Sequence, residues 1–511
     1  MKKKNTQGAQ TRNHASAPRN GFWFSAIVSG IMLSMSGAAY LPANAQTTPP
    51  RPNLLPVPNE AGSSLTISTK GGIDANNPFF KPMGNGRSCA TCHQADQGWS
   101  ISPEGIQAKF NQSNGLDPLF RLVDGANSPT AAVGTIDQKR LAYSMLLTKG
   151  LIRVGMPIPA NAEFSLIKVD DPYGFASSKE LSLFRRPLPT TNLKFSNVVM
   201  WDARETSLDA NSDLCIKNAR PARCFAPVDV DLLHQANSAV LGHAEASAGL
   251  TALEQRAIVD FETSLFTAQI TSTAAGSLTV LGAKGGPIAL SQSPFYFGIN
   301  DVQEGDYKTN APFTRNVMNM YTSWRALGRP AAPPARPGQP ARPGAAPAPS
   351  ATDVARASIA RGEQLFNNRP FNIVNVGGFN DQLSRPLARA TCSSCHSTPN
   401  AGTHSVPRLF NTGLADARRR TPDMPLYTLK NNATGEIVES TDPGLAMVTG
   451  HWADIGRFKT PSLRGLESRS PYFHNSSAEE LSDVVRFYDQ RFRMGLNAQE
   501  RADLIAFLAV L

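Results

Sequence analysis

Apolar residues fall into distinct patterns along this 511-residue chain. Near the N-terminus they run almost unbroken from Phe22 to Leu41. Near the C-terminus they recur at helical spacing. Leu481, Val484, Val485, Tyr488 and Phe492 make one stripe, and Leu504, Ile505, Leu508 and Leu511 a second. Start signals precede both: Ser477 to Glu480 reads as a capping box, and Asn497 with Glu500 repeats the pattern. A further helix is predicted over Ala355–Phe366. Before it, Pro330 to Pro349 reads PAAPPARPGQPARPGAAPAP, with no core-forming residue, and predicts a semi-extended linker or loop. The 39 glycines and 39 prolines exceed what a pure bundle needs. The expected fold is therefore mainly α, with long loops.

The N-terminal apolar run has a basic, polar segment before it and Ala43-Asn44-Ala45 after it. This is the order of an export signal cleaved before Gln46, giving a signal peptide over 1–45. The run nearly reaches the ~20 residues that span a bilayer, so an uncleaved anchor is the competing reading. The serines at 25, 29, 34 and 36 dilute the run and favour cleavage. Export without an anchor places the mature chain in the periplasm of a Gram-negative cell, with no membrane partner. The net charge of +10 falls partly within this segment, because residues 1–45 carry five basic residues and no acid. No basic run of five or more follows, which excludes nucleic acid as a leading partner.

Two strings carry chemistry: Cys89-Ala90-Thr91-Cys92-His93 and Cys392-Ser393-Ser394-Cys395-His396. Each is C-x-x-C-H, the attachment pattern of c-type haem. Two thiols three positions apart meet the two vinyl groups of one haem, and the adjacent histidine reaches the iron. A redox C-x-x-C or half of a zinc site are the bland alternatives, but zinc would need two more soft ligands near each pair. Two covalently bound haem c groups are expected. Each motif is read as nucleating its own domain: 46–328 around the first, 353–511 around the second, with 329–352 as the linker. Cys215 and Cys224 remain and, in an oxidising compartment, are expected to form a disulfide.

These motifs, together with Met200-Trp201-Asp202-Ala203-Arg204-Glu205, Phe458-Lys459-Thr460-Pro461-Ser462-Leu463-Arg464 and Pro471-Tyr472-Phe473-His474, make the chain resemble the bacterial di-haem cytochrome c peroxidase/MauG family. The resemblance implies two cytochrome c-like helical haem domains packed against each other. The N-terminal domain would be peroxidatic and the C-terminal one electron-transferring. It makes Trp201 the bridge between the haems. It places the distal pair of the first haem at Gln235 and, ten positions on, Glu245, beyond an insertion that holds Cys215 and Cys224. Such a carboxylate has a clear task. Hydrogen peroxide must lose a proton from one oxygen and gain one on the other before its O–O bond breaks, and one Glu can do both. His243 and His234 lie close by, with either a pocket or a surface role open to them.

No histidine lies between His93 and His234, where classical members carry a loop ligand. The first iron is therefore expected to be open to peroxide without prior reduction. Fourteen residues past His474, where classical members have a methionine ligand, stands Tyr488, as in MauG-type members. Met447 and Met494 are the alternatives. A phenolate is a harder donor than a thioether, so it lowers the potential and suits the second haem to storing an oxidising equivalent. Two departures limit the resemblance. The position of a calcium-ligating Asn is Arg186, which leaves calcium doubtful. The position of an exit tryptophan is Ala390. The expected activity is a periplasmic di-haem peroxidase that uses hydrogen peroxide. Its unknown electron donor would be a small c-type cytochrome, a cupredoxin or an organic reductant. A MauG-like oxidase of a protein or organic substrate, a rubber-oxygenase-like dioxygenase and an electron-transfer di-haem cytochrome are the alternatives.

Overall fold

The computed structural model describes residues 55–217, 219, 221–328 and 348–511. The export-signal reading and most of the Pro-rich segment lie outside them. Around the second C-x-x-C-H motif the chain is helical, as its periodicity predicts. Helix Ala351–Asn368 starts four residues earlier than expected, because the Ser350 hydroxyl caps it by accepting from the Asp353 amide. It packs on helix Ala498–Leu508 so closely that a Cβ on Gly362 would stand 2.0 Å from the Asp503 carbonyl oxygen. Helix Leu481–Phe492 completes the group. Its cap differs from the one read in the sequence: Asp483, not Ser477, closes the first turn, with Oδ2 accepting from the amides of Glu479 and Glu480. The Asn497–Glu500 box forms as read. Leu481, Val485 and Phe492 bury their stripe with Phe366, Phe371, Trp324 and Phe507, and Cys392, Cys395 and Tyr488 pack at the edge of that core.

The first motif sits between two smaller cores. Phe79, Trp99, Ala236, Val240, Ile258 and Phe261 form one, with Cys89 against it. Ile106, Phe110, Phe120 and Tyr143 form the other, with Cys92 against it. Helix Pro103–Ser113 supplies the second core, and helices Val228–Gly242 and Ala252–Ser264 the first.

The remainder corrects the mainly α expectation. Among the described residues, helix accounts for 30% and strand for 18%, in five small sheets, so the fold is mixed α/β. Strand Gly62–Ser68 pairs with Leu265–Ser272, and Ile152–Met156 with Leu181–Arg185, both antiparallel. Leu426–Asn431 pairs with Ile437–Ser440 on one side and with Phe164–Asp170, from the other half of the sequence, on the other. These strands are two to eight residues long. Such runs are too short for a period-2 pattern to stand out against neighbouring loops, and two of the pairings join strands about 200 or more residues apart.

One ion cluster ties these pieces together. Arg185, at the end of its strand and 2% exposed, donates to Asp202 at 2.5 Å and to both carboxylate oxygens of Asp442 at 2.7 and 2.9 Å. Asp202 is fully buried and also takes Arg204 at 3.2 Å. Burial opposes ionisation of Asp202, yet the two arginines hold its carboxyl below the usual carboxylate range. The cluster pins the turn that carries Trp201 to the segment around Asp442. That turn is strained: Ala203 adopts φ of 62°, a left-handed conformation that glycine enters without penalty. Cys215 and Cys224 are joined in a disulfide on the neighbouring loop, with their Cα atoms 3.9 Å apart.

Replacing Arg185 by Met leaves buried Asp442 without a counter-charge and Asp202 with Arg204 alone, and should cost about 3–5 kcal/mol in equilibrium urea unfolding. A loss below about 1 kcal/mol would show that the cluster does not hold the turn. Ala203→Gly should raise stability by about 1 kcal/mol in the same assay, by relieving the left-handed backbone.

Candidate functional site

The two C-x-x-C-H motifs adopt the same local design. In the first, Ser88 and Thr91 close a tight turn over Cys89–Thr91, and the His93 amide donates to the Cys89 carbonyl at 3.0 Å. In the second, Thr391 and Ser394 do the same over Cys392–Cys395, and the His396 amide donates to the Cys392 carbonyl at 3.1 Å. Each imidazole then bonds through Nδ1 to the carbonyl six residues further on: His93 to Trp99 at 3.1 Å, His396 to Gly402 at 2.6 Å. An Nδ1–H that donates to a carbonyl leaves Nε2 as the lone-pair nitrogen, which fixes the tautomer a metal ligand needs. Burial pushes both imidazoles down to about 4, so they are neutral at physiological pH. The four thiols are free, and burial pushes Cys89, Cys392 and Cys395 up to about 12 and Cys92 to about 11. Each pair of sulfurs lines its own cavity.

Each motif opens on its own cavity, and the two cavities share a wall. Trp201, the Arg186–Pro189 segment and Lys459 line both. The Trp201 indole N–H donates to the Arg186 carbonyl at 2.8 Å, and its own carbonyl accepts from the Lys459 amide at 2.9 Å. Lys459 Nζ donates to the Val198 carbonyl at 2.6 Å, and burial pushes its ammonium down to about 8. The Arg186 side chain donates to the carbonyls of Arg469 and Ser470, both at 3.3 Å. It thus presents a positive charge to these main-chain acceptors and offers no ligand to a cation.

Helix Val228–Gly242 and the residues after it close the first cavity. Gln235 and His243 line it. His243 bonds through Nδ1 to Asp124 at 2.5 Å, and Asp124 is paired with Arg87 at 2.6 Å. Burial alone would raise the Asp124 carboxyl, but His243 and Arg87 hold it below its ordinary value. Glu245 does not line the cavity. It is exposed, with a left-handed backbone of φ 49°, and its carboxylate accepts from Asn85 Nδ2 at 2.8 Å. His234 points outward to Glu205. Glu262, from the next helix, lines the cavity and was not singled out in the sequence. It is 4% exposed, and burial pushes it up to about 8. Nothing in its sequence context distinguishes it from a surface glutamate.

Tyr488 lines the second cavity among Phe473, Phe487 and Phe492, with ring centroids 5.0–6.1 Å away. Burial, and then the two motif thiols, raise its phenol above the ordinary tyrosine value. Met494 lines the same cavity, whereas Met447 is buried in a separate core with Phe164 and Tyr427. Ala390 ends a strand just before the motif and presents only a methyl group. His474 also lines this cavity. It stacks on Phe458 at 3.8 Å and lies 6.2 Å from the Trp201 ring, and neither of its ring nitrogens has a partner. The P-Y-F-H string marked it only as part of a motif. Two thiols, an oriented neutral imidazole and an apolar chamber at each motif fit a covalently attached c-type haem.

The comparisons with known proteins agree. The chain is 34% identical over 143 residues to "Cytochrome-c peroxidase IdrP1" of Pseudomonas sp. (strain SCT), a match covering 24% of this chain and 37% of that protein. It is 30% identical over 121 residues to "Cytochrome c551 peroxidase" of Nitrosomonas europaea, covering 24% and 30%. Over about a quarter of its length the chain is similar to proteins named as cytochrome-c peroxidases. The matches span about a third of the length of these curated relatives. Among solved structures, a MauG-like protein associated with microbial copper homeostasis is 22% identical, over 30% of this chain and 43% of that one, with a TM-score of 0.20. No family profile matches the chain. Among the described residues, no helix is long and apolar enough to cross a membrane.

Glu262 makes stability fall as pH rises. Its carboxyl ionises near its ordinary value in the unfolded chain but only near about 8 in the folded one, so the native state keeps a proton that the unfolded state has lost. Between those two values Glu262→Gln should flatten the decline, which urea midpoints for both proteins at pH 5 and pH 8 would measure. Parallel slopes would mean that Glu262 is ionised when folded.

Proposed function

We propose that this chain is a periplasmic di-haem c-type peroxidase that reduces hydrogen peroxide in its first cavity and shares the oxidising equivalents with the second through Trp201. The observation that carries this reading is the common wall. Two cavities, each with the full attachment set for haem c, meet across one tryptophan whose indole is anchored at 2.8 Å. Cys89, Cys92 and His93 would hold one haem, and Cys392, Cys395 and His396 the other, with Tyr488 as the second ligand of the latter. When bound, these groups supply the redox chemistry.

The chain's own residues handle protons and position. Gln235 can hold peroxide or water by its amide. His243 lines the same cavity and can pass a proton there, with Asp124 holding its ring through Nδ1. Glu245 lies outside the cavity lining, so a role for its carboxylate there requires it to leave Asn85. The anionic donor that Tyr488 would provide also favours a second reading, a MauG-like oxidase of a protein or organic substrate. The methyl group of Ala390 gives no relay for an electron hole toward the surface next to the second motif. This argues against that reading.

Peroxide added to the fully oxidised, haem-loaded protein should remove the high-spin ferric EPR signal without prior reduction. No reaction until one haem is reduced would overturn the open-site reading. Glu245→Gln and His243→Gln, tested separately, should each leave haem content intact. Whichever group transfers the proton should lose about 100-fold or more in peroxide turnover when replaced. Unchanged turnover in both would show that proton transfer rests on neither.

A further inference from the structure

A second concave feature adjoins the C-terminal cavity and plays no part in the chemistry above. It is a cleft of about 860 Å³ at the surface, between the hairpin Phe371–Val374/Leu387–Ala390 and the end of helix Leu481–Phe492. Five arginines line it: Arg389, Arg418, Arg419, Arg491 and Arg493. No acid does. Arg418 pairs with Asp416 at 3.0 Å, outside the lining. Arg389 and Arg493 are exposed and make no ion pair among the described residues. Arg419 lies over the Phe487 ring at 4.3 Å, with its Nε buried and without an acceptor. Arg491 donates to the carbonyls of Thr412, Val374 and Asn375 and makes no ion pair among the described residues. The residues outside the described set contain no Asp or Glu, so no carboxylate side chain from there neutralises the cleft.

Two further features give the cleft a direction. Phe371, Phe492 and Met494 line both the cleft and the C-terminal cavity, and the two phenylalanine rings stack at 5.1 Å. One layer of side chains therefore separates the cleft from the chamber of Cys392, Cys395 and His396. Leu387 and Val374, 58% and 38% exposed, add an apolar patch within the arginine rim. An apolar contact ringed by one sign of charge, set over a redox centre, is the surface of a protein that meets its electron-transfer partner briefly and by charge steering.

We propose that this arginine cleft docks an acidic one-electron redox protein, which gives its electrons to the C-terminal haem site. The proposal rests on the peroxidase reading for the fate of the electrons. Two encounters deliver one electron each, the partner is oxidised twice, and with two protons one peroxide becomes two waters. The partner's carboxylates would face the exposed Arg389 and Arg493, and its redox centre would sit over Leu387 and the Phe371–Phe492 pair.

The test uses haem-loaded protein, peroxide, and two reduced small c-type cytochromes of similar potential but opposite net charge. The acidic cytochrome should be oxidised faster, and its rate should fall about tenfold or more between low and high salt, as screening removes the steering. The double charge reversal Arg389→Glu/Arg493→Glu should abolish most of that low-salt advantage. It should also remove the NMR line broadening that the resting protein imposes on the acidic cytochrome. Haem content, and peroxide consumption with a neutral hydroquinone, should not change. A preference for the basic cytochrome, an inert double variant, or loss of haem from that variant would each overturn the proposal, the last by showing that the arginines serve the haem itself. If wild-type protein consumes no peroxide even with hydroquinone, the peroxidase reading fails, while the line broadening still decides the docking surface.

Discussion

Arg185 is the group on which the arrangement of the site depends. A guanidinium removed from water is tolerable only with its charge matched and its donors satisfied, and here Asp202 and Asp442 do both. The three residues come from a strand end, from the turn after Trp201 and from a loop in the other half of the sequence. Satisfying one buried charge therefore fixes three segments relative to one another. Trp201 follows from that constraint: with Asp202 immobilised, the preceding indole is directed into the wall between the cavities and held there by the Arg186 carbonyl.

The same economy appears at the two motifs. Each uses a small hydroxyl pair to close its turn and a carbonyl six residues on to orient its histidine. The surroundings then differ. The first cavity is closed by groups that exchange or hold protons, Gln235, His243 and Glu262. The second is closed by aromatic rings and Tyr488. The polar groups in the first chamber suit a small protic substrate, and the rings of the second suit electron storage and transfer. The basic cleft adjoins the second chamber and not the first, which on the proposed reading would keep the route for electrons apart from the route for peroxide.

Proton handling is where sequence spacing and geometry diverge. The ten-residue interval from Gln235 to Glu245 matched the family pattern, yet the helix ends at Gly242 and the chain turns left-handed at Glu245. That turn sends the carboxylate to Asn85 and leaves His243 facing the cavity. Spacing along a chain locates a residue on a helix only while the helix continues.

The sequence by itself determined the features whose chemistry is local. Both C-x-x-C-H turns, the stripes of the C-terminal helices and the Asn497 cap depend on residues within one or two turns of each other, so their pattern is visible in a linear string. The Ser477 cap was misplaced because two overlapping start signals compete within four residues. Only the tertiary structure decided the rest. Strands Phe164–Asp170 and Gly62–Ser68 pair with partners about 200 or more residues away. Glu262 becomes remarkable only once burial removes its water. The arginine cleft draws on residues from 389 to 493, whose like charges are scattered in sequence and meet only when the hairpin folds against the helix end. Charge, burial and pairing between distant residues depend on distance in space, and no linear spacing encodes that distance.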